Sequence, residues 1–245
     1  MTTARLPLFP LNSVLFPGLV IPLNVFEQRY RALMHDLSEL PEEMPRRFGV
    51  VAIRDGHEVA PSAPGLPGET PPEPGPAAGF GPEPLRAFHG VGCVADAASI
   101  RPRPDGTYEV LATGTTRFRL LSVDASGPYL TGEVETLEEQ QGDGAGALAS
   151  GVVRAFRAYQ KRLAGASESS LAGRAELPGE PRVLSYLVAA AMVLDTPTKQ
   201  RLLQTPDTAS RLADELKLLR GETAVMGKLP SLPAVDLTRR PTSPN

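Results

Sequence analysis

Between Leu6 and Leu23 the chain is apolar almost without interruption, yet it carries prolines at Pro7, Pro10, Pro17 and Pro22. Proline lacks a backbone N–H and fixes φ near −65°, so no helix runs through such a stretch. Short strands do, with each proline at a strand start, an edge or a bend. The next residues, Asn24 to Glu27, have the spacing of a capping box, with Asn24 at the N-cap and Glu27 at N3. Tyr30, Leu33, Met34 and Leu37 then recur at i, i+3, i+4 and i+7, one face of a helix. Bent apolar strands leading directly into an amphipathic helix exclude an all-helical fold for this half.

Further strands follow. Phe48 to Ile53 is an apolar run of strand length, and His89 to Ile100 reads as another. Pro102 to Gly106 has turn chemistry, with Gly106 free to take positive φ, and Thr107 to Leu111 returns as the second arm of a hairpin. Gly114 and Thr115 mark a bend before a strand from Arg117 to Val123, and Ser126 to Pro128 turns the chain into Tyr129 to Leu137. Many short strands separated by turns predict a barrel or a sandwich. Residues 61–84 are dominated by Pro and Gly and predict a long disordered or loosely held loop within this region.

After the glycine-rich connection at 140–146 the pattern turns helical. Leu148, Val152, Phe156 and Tyr159 form one apolar stripe, and Val183, Leu184, Leu187, Val188 and Ala191 form another. Thr196-Pro197 and Thr205-Pro206 read as N-cap and N1 pairs, and Gly221 as a C′ stop after a stripe ending at Leu219. The tail, 226–245, is proline-rich and expected to be mobile.

Three blocks resemble the N-terminal, substrate-receiving domain of Lon proteases. They are residues 6–33, with the Leu-Pro-Leu, Phe-Pro-Gly and Ile-Pro-Leu pattern; Gly90 to Ala95 with Asp105 to Thr107 and Val110 to Leu120; and Lys199 to Thr205 with Arg211-Leu212. Their order matches and the resemblance spans roughly 6–220. It implies an α+β fold, a small PUA-like β-barrel followed by a C-terminal α-helical bundle. The expected boundaries are 1–139 for the barrel, 145–225 for the bundle and 226–245 for the tail.

Composition narrows the function. A net charge of −3 gives no electrostatic case for nucleic acid or anionic membranes. Aromatics are few and Trp is absent, which removes the stacking platforms that single-stranded nucleic acid uses. The single cysteine, Cys93, excludes an internal disulfide and fits a reducing, cytoplasmic setting. The start leads into a proline-broken stretch rather than a signal-peptide core, and no run has the length of a membrane span.

Catalytic patterns are missing. Gly221 to Lys228 has one residue too many between its glycines for a phosphate loop, and Leu229 stands where Ser or Thr would hold Mg²⁺. His35, His57 and His89 lie on three different elements, so a metal site is not expected. Glu133 and Glu135 alternate on a strand and read as a solvated face, with Glu138 and Glu139 beyond them. Arg117 and Arg119 share a strand face, and a structural ion pair outweighs an anion contact, although Arg117 falls at the Lon family's characteristic arginine.

The resemblance implies a stand-alone, non-catalytic module that binds protein segments, an adaptor or receptor in protein quality control, without cofactor or metal. The apolar surplus of the N-terminal block adds candidate peptide contacts at Leu11, Asn12, Phe16, Pro17, Phe26 and Arg117. The partner is expected to be unfolded or extended polypeptide, or one specific protein. The alternative is a small-molecule binder or enzyme that uses the cleft between barrel and bundle.

Overall fold

The computed structural model describes residues 3–55, 75–163 and 176–228. The prolines of the N-terminal block sit where a sheet tolerates them. Strand β1 (Thr3–Leu11) changes partner along its length. Its first half, Thr3 to Pro7, pairs antiparallel with β6 (Thr131–Thr136), and Leu8 to Leu11 pairs parallel with β3 (Arg47–Ala52). Pro7 thus closes one ladder, and Pro10 lies in a stretch paired on one side only, so neither removes a needed donor. Phe16 to Leu19 forms a turn closed by Leu19 N–H on the Phe16 carbonyl, with Pro17 second and Gly18 third at φ +80°. That is the residue order a type II turn requires. Pro22 lies in β2 (Val20–Val25), the strand at one end of the sheet.

The strand order is β2-β5-β4-β3-β1-β6, where β4 is Val91–Pro102 and β5 is Tyr108–Asp124; the last strand, β6, also pairs with β5. A mixed six-stranded sheet followed by helices is the α+β class expected. The finer expectation, a PUA-like barrel, is not established by this six-stranded arrangement. The β4–β5 hairpin turns as predicted, with Gly106 at φ +78° and Asp105 accepting from the Thr107 N–H at 3.0 Å.

The bend predicted at Gly114 and Thr115 does not divide the chain into two strands, because β5 is one 17-residue strand. The irregularity takes the form of a bulge. Ala95 pairs with Gly114 and Cys93 with Arg117, which leaves Thr115 and Thr116 outside the register. A side chain at Gly114 would bring Cβ within 2.4 Å of the Phe16 carbonyl, so the N-terminal turn requires glycine there.

Helix α1 (Gln28–Ser38) buries the predicted stripe of Tyr30, Leu33, Met34 and Leu37 against Phe9, Phe48 and Val110. Its N-cap is Glu27, not Asn24, and its side chain makes no capping bond. The extended pairing of β2 with β5 continues through Asn24↔Glu109 and Val25↔Tyr108, and this ladder overrides the local capping signal.

Part of the proline-rich segment is packed. Residues 56–74 lie outside the described residues, and so does His57, but Phe80 is buried with its ring 4.8 Å from that of Phe88. Arg29 donates to the carbonyls of Pro76 and Ala78, and a short helix α2 (Pro84–Ala87) follows. The expected disorder over 61–84 is therefore wrong for its C-terminal part.

The second half contains α3 (Ala145–Leu163), α4 (Pro181–Ala191), α5 (Thr196–Gln204) and α6 (Thr208–Lys228). Val152, Phe156 and Tyr159 of α3 pack with Leu184 and Val188 of α4 and with Leu212 and Leu219 of α6. The caps shift from the predicted threonines to aspartates: Asp195 accepts from the Thr198 N–H, and Asp207 from the Ser210 N–H at 2.8 Å. Thr205 instead ends α5. Gly221 does not stop α6, which runs on to Lys228, three residues into the expected tail; 229–245 lie outside the described residues.

The connection at 140–144 is tied down rather than free. The N–H groups of Thr208 and Ala209 donate to the carbonyls of Gln140 and Gln141. Gly142, at φ +71°, lies so close to Asp207 that a Cβ would approach its carboxylate to 2.4 Å.

Candidate functional site

Sheet and helices meet through an apolar joint and a polar one. In the apolar joint Phe16, 1% exposed, packs among Tyr186, Ala189, Leu202 and Leu203. In the polar joint the Glu139 carboxylate, just beyond β6, gathers side chains from three elements. Arg117 of β5 reaches it at 2.7 Å, the Tyr186 hydroxyl of α4 donates to it at 2.5 Å, and Arg211 of α6 bonds its other oxygen. The Thr208 hydroxyl also donates to that oxygen, at 3.1 Å.

Arg117 extends the joint. Its guanidinium donates to the carbonyls of Leu203, Thr205 and Pro206 at 2.9, 2.6 and 3.2 Å, at the end of α5 and just beyond it. Arg211 donates to Ser185 Oγ and lies 4.0 Å above the Tyr186 ring centroid. Two further bonds join the halves, Gln200 to the Val91 carbonyl and Thr196 to the Asn12 carbonyl.

This network fixes the charge states. Burial raises the pKa of Glu139, but the Tyr186 hydrogen bond and the two arginines outweigh it, leaving the carboxyl below its ordinary range. Burial also drives the Tyr186 hydroxyl well above its usual value. The Glu139 carboxylate is fully engaged, while Arg117 Nε and Arg211 Nη1 are buried without a hydrogen-bond partner among the described residues; the cluster acts as a clamp.

Above the clamp lies a cleft of about 660 Å³. One wall is α4, through Arg182, Val183 and Tyr186; the other combines the Pro17-Gly18 turn, the bulge at Thr115 and Thr116, and Thr136 to Glu139. The bulge matters here. The β2 ladder reaches only Thr113 and the β6 ladder starts only at Phe118, so among the described residues Thr115 and Thr116, which line the cleft, have no strand partner on that side. Both residues are exposed, and Val183 opposite them is 40% exposed.

The structure brings two of the six sequence candidates, Pro17 and Arg117, to this cleft. Arg117 is only 3% exposed and is held by the clamp, so it is not available as a direct contact. Phe16 and Leu11 are buried, which corrects their reading as contacts: Phe16 is consumed by the joint and Leu11 by the core under α1. Phe26 is 56% exposed but borders a separate depression with Phe9, Pro22 and Tyr30. Asn12 is exposed on the segment after β1. Sequence reasoning missed Glu139 as a hub, together with Tyr186, Val183 and Arg211. The structural ion pairing expected of Arg117 and Arg119 forms at both, Arg117 with Glu139 and Arg119 with Glu135.

Other candidate chemistry is quiet. Burial pushes the Cys93 thiol up to about 12, which disables it as a nucleophile. Burial, and then Arg54, lowers the pKa of His89. Among the described residues no three His, Cys, Asp or Glu side chains converge as metal ligands, and no helix is long and apolar enough to cross a membrane. Gly221 to Lys228 lies within a helix, not a loop.

Residues 5–221 match the ATP-dependent protease La (LON) substrate-binding domain. The chain belongs to the Lon substrate-binding domain family. It is 30% identical over 215 residues to Lon protease 2 of Syntrophobacter fumaroxidans, covering 85% of this chain and 23% of that protein. It is 27% identical to Lon protease of Anaeromyxobacter dehalogenans, covering 91% and 24%. The chain thus spans about a quarter of the length of these curated relatives. Among solved structures, a Lon N-terminal domain protein from Xanthomonas campestris superposes with a TM-score of 0.56 at 23% identity, covering 87% of this chain and 98% of that one. The N-terminal domain of a Mycobacterium avium complex Lon protease gives 0.57 at 16% identity, covering 90% and 98%. At these identities the likeness is one of fold.

Proposed function

We propose that this chain is a non-catalytic module that binds extended polypeptide in the cleft between α4 and the β5 bulge. The observation that carries the reading is the unpaired stretch at Thr115 and Thr116, open to a cleft with Val183 on its far wall. An extended chain can use free main-chain groups at a sheet edge while apolar side chains fill neighbouring surface. Membership in a substrate-binding family supports polypeptide as the ligand class. We extend the reading to a receptor or adaptor in protein quality control, working in the cytoplasm, with the barrel-like closure of β6 onto β5 as the PUA-like element. The alternative, a small-molecule binder or enzyme, called for convergent titratable groups free to react. Arg117, Glu139, Tyr186 and Arg211 are instead occupied with one another.

The test is fluorescence anisotropy with a labelled protein presented either reduced and unfolded or native. Preferential binding of the unfolded form, at an affinity near ~1 μM (about −8 kcal/mol) and persisting at high salt, supports the reading. No preference at any salt concentration removes it.

A further inference from the structure

We infer that the cleft selects extended segments in which an apolar residue is flanked by lysine or arginine. This deepens the reading of the cleft as a polypeptide site and rests on it. The charged side chains of the cleft differ in how far a ligand can reach them. Four charged residues line the cleft: Arg117, Arg182, Glu138 and Glu139. Arg117 and Glu139 are paired within the clamp, where Arg211 also holds Glu139. Arg182, on the α4 rim, is paired with Glu180 at 3.2 Å. Glu138 is exposed and, among the described residues, has no hydrogen bond or ion pair. With Arg211 the clamp holds two guanidiniums to one carboxylate, but those guanidiniums are only 3% and 0% exposed. The exposed, unpartnered charge within a ligand's reach is therefore the Glu138 carboxylate, on the rim beside Leu137 and close in sequence to the end of β6.

The position of that carboxylate matters as much as its sign. At most two residues at the bulge can pair with a ligand's main chain, because Gly114 is occupied by Gly18 and Leu19, the Arg117 carbonyl accepts from Leu137, and the Thr115 N–H is itself engaged by Cys93. Two residues of main-chain pairing give little sequence preference, so discrimination falls to the side chains beside them. Val183 and Leu137 offer apolar surface, and Glu138 adds the charge. A lysine or arginine next to an apolar residue satisfies both, since its aliphatic stem can lie on apolar surface while its head reaches the carboxylate.

The experiment uses the full chain and labelled peptides of one apolar core sequence, flanked by lysines, serines or glutamates. At low salt, anisotropy should rank lysine above serine above glutamate, with steps of up to about fivefold, the size of one exposed ion pair. Glu138→Gln should bring the lysine peptide level with the serine peptide, and Glu138→Lys should invert the order. Raising the salt should compress the ranking while core binding remains. A glutamate peptide that binds as well as the lysine peptide, or a ranking unmoved by the Glu138 variants, overturns the inference. Val183→Gln separates this from failure of the cleft itself: it should weaken all three peptides alike. If it leaves all three unchanged, or if none binds to begin with, the cleft reading falls and the charge preference with it.

Discussion

The clamp makes a quantitative claim about Glu139. Its side chain is 15% exposed, whereas those of Arg117 and Arg211 are 3% and 0% exposed. Glu139→Gln removes the counter-charge and leaves two guanidinium groups interred. Breaking a buried pair from one side costs about 3–5 kcal/mol. Arg117 retains three carbonyl acceptors and Arg211 retains Ser185, so the lower end applies, about 3 kcal/mol. For a chain of this size that is a fall of roughly 6–12 °C in Tm. The assay is urea unfolding of the wild type, Glu139→Gln, Arg117→Met and the double variant, with the double-mutant cycle isolating the pair. The sign of the pH dependence follows from the depressed carboxyl. Its contribution is complete above the ordinary Glu value of about 4.3 and is lost as pH falls through the lower folded-state value. Wild type should therefore lose stability there, and Glu139→Gln should lose less. A cost below about 1 kcal/mol, or identical acid profiles, would refute the clamp as the joint between sheet and helices.

Phe16→Ala should cost about 3–5 kcal/mol in chemical denaturation, because the ring fills the apolar joint; a loss under about 1 kcal/mol would mean that the joint is not packed. Phe80→Ala should cost a similar ~3 kcal/mol despite its proline- and glycine-rich surroundings, and an unchanged urea midpoint would return that segment to a loose loop. Glu215 is buried with both carboxylate oxygens lacking a hydrogen-bond partner among the described residues, and burial, opposed by Arg211, raises its pKa well above the usual range. The unfolded state then ionises first as pH rises, so wild type should lose up to about 1.4 kcal/mol per pH unit above pH ~4.3, until the folded-state carboxyl ionises. Glu215→Gln should escape this loss and be the more stable form at neutral pH; parallel urea midpoints across pH 4–8 would contradict it.

What was legible in the chain was periodic or local. The α1 stripe, the strand expected over 48–53 and the Gly106 turn each depend on neighbours within a few residues, and each forms, the strand as Arg47–Ala52. The caps were misplaced where a stronger long-range claim intervened: Asn24 could not cap because it belongs to the ladder with β5. Phe80 was hidden by the composition around it, since a lone aromatic among prolines and glycines has no period to reveal it. The clamp was illegible for a different reason. Glu139 and Arg211 are 72 residues apart, on segments whose own patterns say nothing of each other, and only their buried meeting gives either a role.

Glu138 and Glu139 show how far role can diverge between adjacent identical residues. Both line the cleft, yet Glu139 is turned into a set of donors from β5, α4 and α6, while Glu138 is left at the rim with none among the described residues. The first is costly to remove and useless to a ligand, because every lone pair it offers is directed inward. The second contributes little to folding, because an exposed carboxylate without a partner has nothing to lose. A single scan of both positions therefore separates architecture from recognition. Substitution at 139 should lower stability and disturb binding only as the cleft walls shift. Substitution at 138 should leave the unfolding midpoint within about 0.5 kcal/mol of wild type and change which peptides are held.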